Sequence, residues 1–170
     1  MVIVVMGVSG VGKTTVGRAL AVQLGWPFRD ADDVHSPANV ERMRRGEPLT
    51  DEHRAPWLAA LAGIIATYTR DRRALVLACS ALSGAHREAL LAGVRAGDGD
   101  DVRFVHLRAE RSVLAERLGR RTGHFFPQDL LDSQLATLEA PVTGTPGVLE
   151  LDATRPVSEL VEAVRNALGV

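Results

Sequence analysis

The sequence contains almost no cysteine, few aromatic residues and no long apolar run. Cys79 is the single cysteine among 170 residues, so no disulfide can form within the chain. Aromatic residues make up only 4% of the chain, which leaves little material for a slot that binds a nucleobase. No stretch approaches the ~20 apolar residues of a membrane span, and the apolar start Val2–Met6 is too short for a signal peptide. These absences predict a cytoplasmic protein with no membrane partner.

The sequence also lacks an excess of charge of either sign. Its 20 Lys and Arg residues nearly balance its 21 Asp and Glu residues, and the net charge is −1. Because no basic field exists, we expect no nucleic-acid partner. The 5 histidines show no metal-ligand spacing such as H-E-x-x-H, so structural zinc is not expected. The length fits one domain over residues 1–170.

Short apolar runs alternate with helix-like segments along the whole chain. The predicted strands are Val2–Met6, Ala74–Ala78, Val102–Leu107 and Val148–Leu151, with a shorter fifth near Pro27–Arg29. The predicted helices are Thr14–Leu24, Pro56–Thr69, Ala85–Val94, Ser112–Arg121, Gln128–Leu138 and Ser158–Leu168. Alternation of strand and helix implies βαβ units with right-handed crossovers. The sequence therefore predicts an α/β fold of three layers, with a five-stranded parallel sheet flanked by helices.

One motif carries specific chemistry. The segment Gly7–Thr14 matches the phosphate-binding pattern G-x-x-x-x-G-K-[ST] in full, between a predicted strand and a predicted helix. Backbone N–H groups of such a loop bind phosphate oxygens, the lysine reaches the β- and γ-phosphates, and the threonine hydroxyl ligates Mg²⁺. ATP and Mg²⁺ are therefore the expected cofactors. The candidate nucleotide-binding residues are Gly7, Ser9, Gly10, Val11, Gly12, Lys13, Thr14 and Thr15.

An acidic turn follows the predicted second strand. Asp30 and Asp32 are two residues apart, so their side chains share one face of an extended chain. In an open α/β sheet this turn would meet the phosphate-binding loop in the crevice at the carboxyl ends of the strands. One carboxylate is expected to hold Mg²⁺ and the other to accept a hydroxyl proton. The alternative is an Asp-rich turn that caps the next helix, with Ser36 or Asp33 as the cap.

Three arginines lie on one face at the end of a predicted helix, directly before Thr122-Gly123: Arg117, Arg120 and Arg121. We interpret residues 120–128 as a mobile lid that closes over the phosphates with Gly123 at its hinge. In this interpretation Arg121 contacts the transferred phosphoryl group, and Arg117 and Arg120 bind ATP. The alternative is that these arginines only offset the dipole of the helix C-terminus.

Several blocks together resemble the gluconate kinase (gluconokinase) family. They are M-G-V-S-G-V-G-K-T at Met6–Thr14, D-A-D-D-V-H at Asp30–His35, N-V-E-R-M-R-R-G-E-P-L-T-D at Asn39–Asp51, R-A-P-W-L at Arg54–Leu58, C-S-A-L at Cys79–Leu82, G-H-F-F at Gly123–Phe126 and Q-L-A-T-L-E-A-P at Gln134–Pro141. The phosphate-binding loop alone indicates only a superfamily, whereas its combination with the later blocks is specific.

The resemblance implies transfer of the γ-phosphoryl group of ATP to the 6-hydroxyl of D-gluconate, by a shikimate-kinase-like fold that has a mobile lid and often forms a homodimer. Asp32 would then activate the sugar hydroxyl and Asp30 would support Mg²⁺. Arg87, with Arg54 as second candidate, would bind the gluconate carboxylate, and His35 and His124 would lie in the same pocket. One departure affects acceptor choice, because Ser83-Gly84 stands where the family often has lysines.

Two other readings compete with a gluconate kinase. The first is a related kinase with another acceptor, such as shikimate or a nucleoside monophosphate. The second is a protein that binds ATP without turnover. Lys13, Thr14 and Asp32 favour an enzyme, because a protein that only binds nucleotide has no use for a carboxylate that activates a hydroxyl.

Overall fold

A computed structural model describes residues 1–95, 101–120, 128–141 and 147–170 of the chain. The strands are β1 (Val2–Met6), β2 (Phe28–Asp30), β3 (Leu75–Ala78), β4 (Val102–Arg108) and β5 (Val148–Asp152). The helices are α1 (Lys13–Leu24), α2 (Pro37–Arg44), α3 (Asp51–Arg70), α4 (Gly84–Leu91), α5 (Arg111–Gly119), α6 (Gln128–Thr137) and α7 (Val157–Leu168), with a 3₁₀ turn at Ala31–Val34.

The five strands form one parallel sheet in the order β2-β3-β1-β4-β5. The central strand β1 pairs with β3 on one side and with β4 on the other. The strand order reverses direction here, and such a switch point opens a crevice at the carboxyl ends of the strands. The loop after β1 and the turn after β2 both lie at this edge, as expected from the sequence.

Each face of the sheet packs against its own helical layer, because successive side chains of a strand point to opposite faces. In β1, Ile3 and Val5 join a core with α1, α5 and α7. Val2, Val4 and Met6 join the other core, which the α3 and α4 side chains Leu61, Ile65 and Leu90 complete. The predicted three-layer α/β fold is therefore confirmed.

Two helices differ most from the sequence-based expectation, while α4 and α5 end at Leu91 and Gly119, before their expected ends at Val94 and Arg121. α3 begins at Asp51, five residues before the expected start at Pro56, because Thr50 caps it: the Thr50 hydroxyl accepts from His53 N, and His53 Nδ1 accepts from Thr50 N. α2 was not among the predicted helices. It begins at Pro37, and the Ser36 hydroxyl accepts a hydrogen bond from Asn39 N at 3.2 Å.

The phosphate-binding loop starts at a position where only glycine fits. Gly7 has a φ of 135°, and a Cβ atom placed on it would lie 2.5 Å from the carbonyl oxygen of Leu107. A side chain there would clash with the backbone of β4 as well as strain the loop. Gly7 thus lets the chain leave β1 in close contact with β4, which sets where the loop faces the crevice.

Candidate active site

The phosphate-binding loop is held in shape by its own backbone and by the loop after β3. Gly7 N donates to the carbonyl of Ser80 at 3.2 Å. Gly12, with a φ of 106°, forms the N-cap of α1 and leaves the helix N-terminus directed at the loop. Lys13 Nζ donates to the carbonyl of Val8 at 3.1 Å, so its side chain curls back over the loop. This arrangement suits the phosphates of a nucleotide.

The other candidate nucleotide-binding residues surround this loop. Val11 is buried, Ser9 is half-buried, and Thr15 is exposed in the first turn of α1. A Cβ atom on Gly10 would lie 2.9 Å from Leu118 Cγ, so the loop packs directly against α5.

Two candidate oxygen ligands for a divalent cation lie side by side at the start of α1. Thr14 Oγ1 donates to Asp30 Oδ2 at 2.8 Å, although the two residues come from different elements. A hydroxyl and a carboxylate are hard oxygen donors of the kind that Mg²⁺ prefers. Among the described residues no group of three His, Cys, Asp or Glu side chains could hold a metal. A hydroxyl and a carboxylate would suit a Mg²⁺ ion that nucleotide phosphates also ligate.

Asp30 also shapes the turn that carries Asp32. Its Oδ1 accepts from the backbone N of Asp32 at 3.1 Å and so caps the 3₁₀ turn. Of the two caps considered above, Ser36 caps α2 and Asp33 does not, while the 3₁₀ turn is capped by Asp30. Because Asp30 holds the turn through the backbone, the Asp32 carboxylate remains available and lines a cavity beside the phosphate-binding loop.

This cavity of about 130 Å³ joins the phosphate-binding loop to the acidic turn and α3. Three of the candidate substrate residues, Asp32, His35 and Arg54, line it together with Ser9 and Lys13 of the loop. The remaining wall consists of Met43, Pro48, Leu49, Trp57, Ser80, Leu82, Leu130, Ser133 and Gln134. The phosphate-binding loop and the polar candidates for acceptor binding thus face one small space, as phosphoryl transfer between two bound molecules requires.

His35 is held in the cavity as a neutral ring. It stacks on Trp57 with ring centroids 4.4 Å apart and an interplanar angle of 9°. Trp57 is itself fixed, because its Nε1 donates to the Ala31 carbonyl at 2.8 Å. Burial lowers the pKa of His35, and Arg54 lowers it further against the opposing effect of Asp32. A neutral imidazole has one donor and one acceptor nitrogen, and His35 Nδ1 is buried without a partner in the described residues, so a contact with a substrate hydroxyl would use Nε2.

The two arginine candidates for the acceptor carboxylate lie in different places. Arg54, whose side chain is 20% exposed, lines the cavity and donates to Asp51 Oδ1 at 3.1 Å. Arg87 is not among the residues that line the cavity, and its Nη1 donates to the carbonyls of Ala81 and Leu82 at 3.2 and 3.3 Å. Arg54 is therefore the candidate that lies at the cavity, and the ranking of the two arginines stays a prediction.

Ser83 and Gly84, which stand where the family often has lysines, make hydrogen bonds that hold the local backbone. The Ser83 hydroxyl accepts from His86 N and caps α4. Gly84 N donates to Glu139 Oε2 at 2.6 Å. In the described residues this segment thus connects α4 to the chain after α6.

The arginines at the end of α5 differ from one another. Arg117 Nη1 donates to the carbonyl of Val11 in the phosphate-binding loop at 3.2 Å, and its Nη2 donates to the carbonyl of Ala153 at 2.8 Å. Arg120 is exposed and pairs with Glu116 at 2.6 Å. Arg121, His124 and the lid proposed for residues 120–128 lie outside the described residues, apart from Arg120 and Gln128 at its ends.

We expect Arg117→Ala to weaken ATP binding and stability more than the chemical step, because Arg117 ties the phosphate-binding loop to the chain after β5. Losing a partner leaves carbonyl groups unsatisfied, at a cost of about 1–3 kcal/mol, and a chain of this size loses about 2–4 °C in Tm for each kcal/mol. The KM for ATP should rise severalfold, with kcat within about threefold of the parent. Arg120→Ala is the matched control and should change neither the KM for ATP nor Tm. If the two variants behave alike, the hydrogen bonds of Arg117 do not support the phosphate-binding loop.

Several cavity residues were not among the sequence-based candidates. Ser80, Trp57 and Gln134 belong to the blocks C-S-A-L, R-A-P-W-L and Q-L-A-T-L-E-A-P, so their motifs were visible while their roles were not. Ser133 and Leu130 of α6 lie outside these blocks, so no motif pointed to them. The described contacts show why Gln134 matters, since Ser9 N donates to its Oε1 at 2.7 Å.

A parallel sheet of order 2-3-1-4-5, a phosphate-binding loop after its central strand and a cavity lined by an aspartate define a class of protein. These features together are those of a P-loop kinase for a small molecule. In a comparison with known protein families, a family model described as "AAA domain" matches residues 2–141.

Individual relatives narrow it further. The gluconokinase of Gluconobacter oxydans (strain 621H) is 46% identical, with 96% of this chain and 89% of the relative covered. Among solved structures, a gluconokinase from Sinorhizobium meliloti 1021 has 42% identity and a TM-score of 0.84, with 98% of this chain and 90% of that chain covered. A sugar kinase from Janibacter sp. HTCC2649 has 40% identity and a TM-score of 0.89, with 99% and 94% covered. The chain belongs to the gluconokinase family of P-loop kinases.

Proposed function

We propose that this protein transfers the γ-phosphoryl group of ATP to the 6-hydroxyl of D-gluconate and forms 6-phospho-D-gluconate. One observation carries the proposal: a single cavity joins Lys13 and Ser9 of the phosphate-binding loop to Asp32, His35 and Arg54. The family membership supports gluconate as the acceptor, because the curated relatives at 46% and 37% identity are named gluconokinases.

The donor side of the reaction depends on the phosphate-binding loop. Backbone N–H groups of the loop and the N-terminus of α1 bind phosphate oxygens, and Lys13 stabilises the charge that develops on the γ-phosphoryl group. Thr14 and Asp30, 2.8 Å apart, would hold Mg²⁺. When bound with the nucleotide, this ion would neutralise phosphate charge.

The acceptor side depends on three residues of the cavity. The Asp32 carboxylate accepts the proton of the attacking hydroxyl as the oxygen–phosphorus bond forms. The neutral ring of His35, held against Trp57, orients a hydroxyl of the acceptor. The Arg54 guanidinium binds the acceptor carboxylate and places the far end of the molecule toward the phosphate-binding loop.

A coupled assay of ADP release tests the proposal. Gluconate, shikimate and the nucleoside monophosphates are offered in parallel with ATP and Mg²⁺, and the product is examined by ³¹P NMR for attachment at the 6-carbon. We expect turnover with gluconate to exceed turnover with the other acceptors by at least about a hundredfold in kcat/KM, as a site built for specific polar groups rejects molecules that lack them. Preference for shikimate would favour the alternative acceptor, and no turnover with any would favour a non-catalytic protein.

We expect Arg54→Ala to raise the KM for gluconate by about 30-fold or more, because losing the partner of a desolvated charge costs about 2–5 kcal/mol. The KM for ATP should stay within about twofold of the parent. Arg87→Ala is the comparison variant, since Arg87 does not line the cavity and donates to the backbone carbonyls of Ala81 and Leu82; its gluconate KM should change less than threefold. The reverse ranking would restore Arg87 as the carboxylate-binding residue, and two unchanged values would mean that the acceptor is not bound through an acid group.

The remaining expectations about this protein stay predictions. They are a cytoplasmic location, a homodimer, a mobile lid over residues 120–128 with Arg121 at the phosphoryl group, His124 in the substrate pocket, and the absence of nucleic-acid partners. In the described part of the chain, no helix combines the length and apolar character that a membrane crossing needs.

A further inference from the structure

Gln134 connects the donor and acceptor halves of the site. Its Oε1 accepts a hydrogen bond from Ser9 N in the phosphate-binding loop at 2.7 Å, across 125 residues of sequence. Its side chain is half-buried and lines the same cavity as Asp32 and Arg54. One carboxamide thus touches the loop that binds phosphate and faces the space where the acceptor binds.

The position of Gln134 is set by contacts on either side of it along the chain. Toward the start of α6, Asp132 accepts two hydrogen bonds from Arg111, at 2.7 and 2.9 Å. Beyond the end of α6, Glu139 N donates to the Leu82 carbonyl at 2.9 Å, and Glu139 Oε2 accepts from Gly84 N at 2.6 Å. These contacts anchor α6 to α5 and to the loop after β3, so Gln134 meets the cavity at a defined place.

The chemistry of a carboxamide leaves donors for a ligand. A glutamine has one carbonyl oxygen and an NH₂ group with two N–H donors. Because Ser9 N can only donate, the contact with Gln134 uses the oxygen and orients the amide plane. The described hydrogen bonds include none from Gln134 Nε2. The NH₂ group is the part of this side chain that can reach oxygen atoms of an acceptor in the cavity.

We propose that Gln134 is a further substrate-positioning residue, which rests its Oε1 on the phosphate-binding loop and donates from its Nε2 to an oxygen of the polyhydroxy acid acceptor. The proposal rests on the kinase function proposed above. It gives the acceptor a contact that is fixed relative to the loop, so the attacking hydroxyl is aligned with the phosphoryl group. Loss of the donors should therefore affect acceptor KM and kcat, with little effect on ATP.

Two variants separate this role from simple support of the loop. Gln134→Met keeps the length of the side chain and removes all its hydrogen bonds. Gln134→Glu keeps an oxygen that can accept from Ser9 N, but it removes both donors and adds a negative charge. If Gln134 only holds the loop, the Glu variant should resemble the parent. If its NH₂ group binds the acceptor, the Glu variant should be at least as impaired as the Met variant.

We expect kcat/KM for gluconate to fall about 10- to 100-fold in both variants, while the KM for ATP changes less than threefold and Tm falls by no more than about 4 °C. Calorimetric titration with gluconate should show the same loss of affinity without turnover. Gln23→Met, at an exposed position on α1, makes the same chemical change away from the site and should match the parent.

Three results would overturn the proposal. They are a kcat/KM within twofold of the parent in Gln134→Met, near-parent activity in Gln134→Glu, or a loss confined to the KM for ATP. The parent protein is measured in the same series. If the parent itself does not phosphorylate gluconate, the proposed function fails; if the parent does and the variants behave like it, only the role of Gln134 fails.

Discussion

Lys13→Ala is expected to lower kcat by at least about a hundredfold and to leave the fold intact. One preorganised contact to developing charge typically supplies two to three orders of magnitude in rate. Lys13 stands at the first position of α1, lines the cavity and curls over the phosphate-binding loop toward the Val8 carbonyl. Its side chain is only partly buried, so truncation removes little apolar packing.

Single-turnover transfer and thermal melting measure this prediction. Lys13→Arg serves as the control, because it keeps the charge but presents a planar fork in place of a compact ammonium. It should recover only part of the rate. Activity of Lys13→Ala within about tenfold of the parent would remove Lys13 from the stabilisation of the transferred group.

Lys13 can also be tested without turnover, because it is the only lysine in the chain. An amine-selective acylating reagent can modify only Lys13 and the N-terminal amine, and mass spectrometry separates the two sites. ATP with Mg²⁺ should protect Lys13 and leave the N-terminus reactive, since Met1 lies at the opposite ends of the strands from the cavity. Equal modification with and without ATP would contradict contact between Lys13 and the nucleotide.

Asp32→Asn is expected to lower kcat by about 10²–10⁴ while the Kd for ATP stays within about threefold, because an amide can hydrogen-bond a hydroxyl but cannot take its proton. The structure supports the assignment through position: Asp32 is exposed to the cavity, whereas the neighbouring Asp30 is engaged by Thr14 and by the backbone of the turn. Single-turnover transfer and ATP titration separate the two effects.

Asp33→Asn is the matched control for this prediction. Asp33 is also exposed in the 3₁₀ turn but does not line the cavity, so its variant should retain parent activity. Asp30→Asn should instead change the dependence on Mg²⁺ concentration, because it weakens the pair of oxygen ligands with Thr14. An unchanged kcat in Asp32→Asn would transfer the role of base to Asp30.

Features that depend on near neighbours in the chain could be predicted with good accuracy. The strand β1 and the loop after it follow from an apolar run and a glycine pattern, and α1 ends at Leu24 as expected, with Gly25 as its C-cap. The start of α3 was wrong because two local signals competed: Pro56 is typical of a first helical turn, whereas the Thr50–His53 capping box begins the helix earlier. Local signals of similar strength can be ranked only when the packing of the helix is known.

The contents of the acceptor site could be predicted only in part. Asp32 and His35 follow β2 closely, whereas Arg54 lies in the first turn of α3 and meets them only through the topology. Arg87 follows the C-S-A-L block equally closely, yet its side chain turns back to the carbonyls of Ala81 and Leu82. Spacing along the chain does not determine the direction of a long side chain, because that direction depends on which acceptors the fold places around it.

From the sequence one can derive the nucleotide-binding loop of this protein, because the strand, the glycine loop and the first turn of α1 are one continuous segment that matches one motif. The other half of the site is assembled from separate segments. Gln134 meets Ser9 across 125 residues, and α6 is set in place by Arg111 and by the contacts of Glu139. Such contacts form only when distant segments pack together, and no local propensity specifies them. The acceptor cavity, and with it the choice between Arg54 and Arg87, therefore follows from tertiary packing.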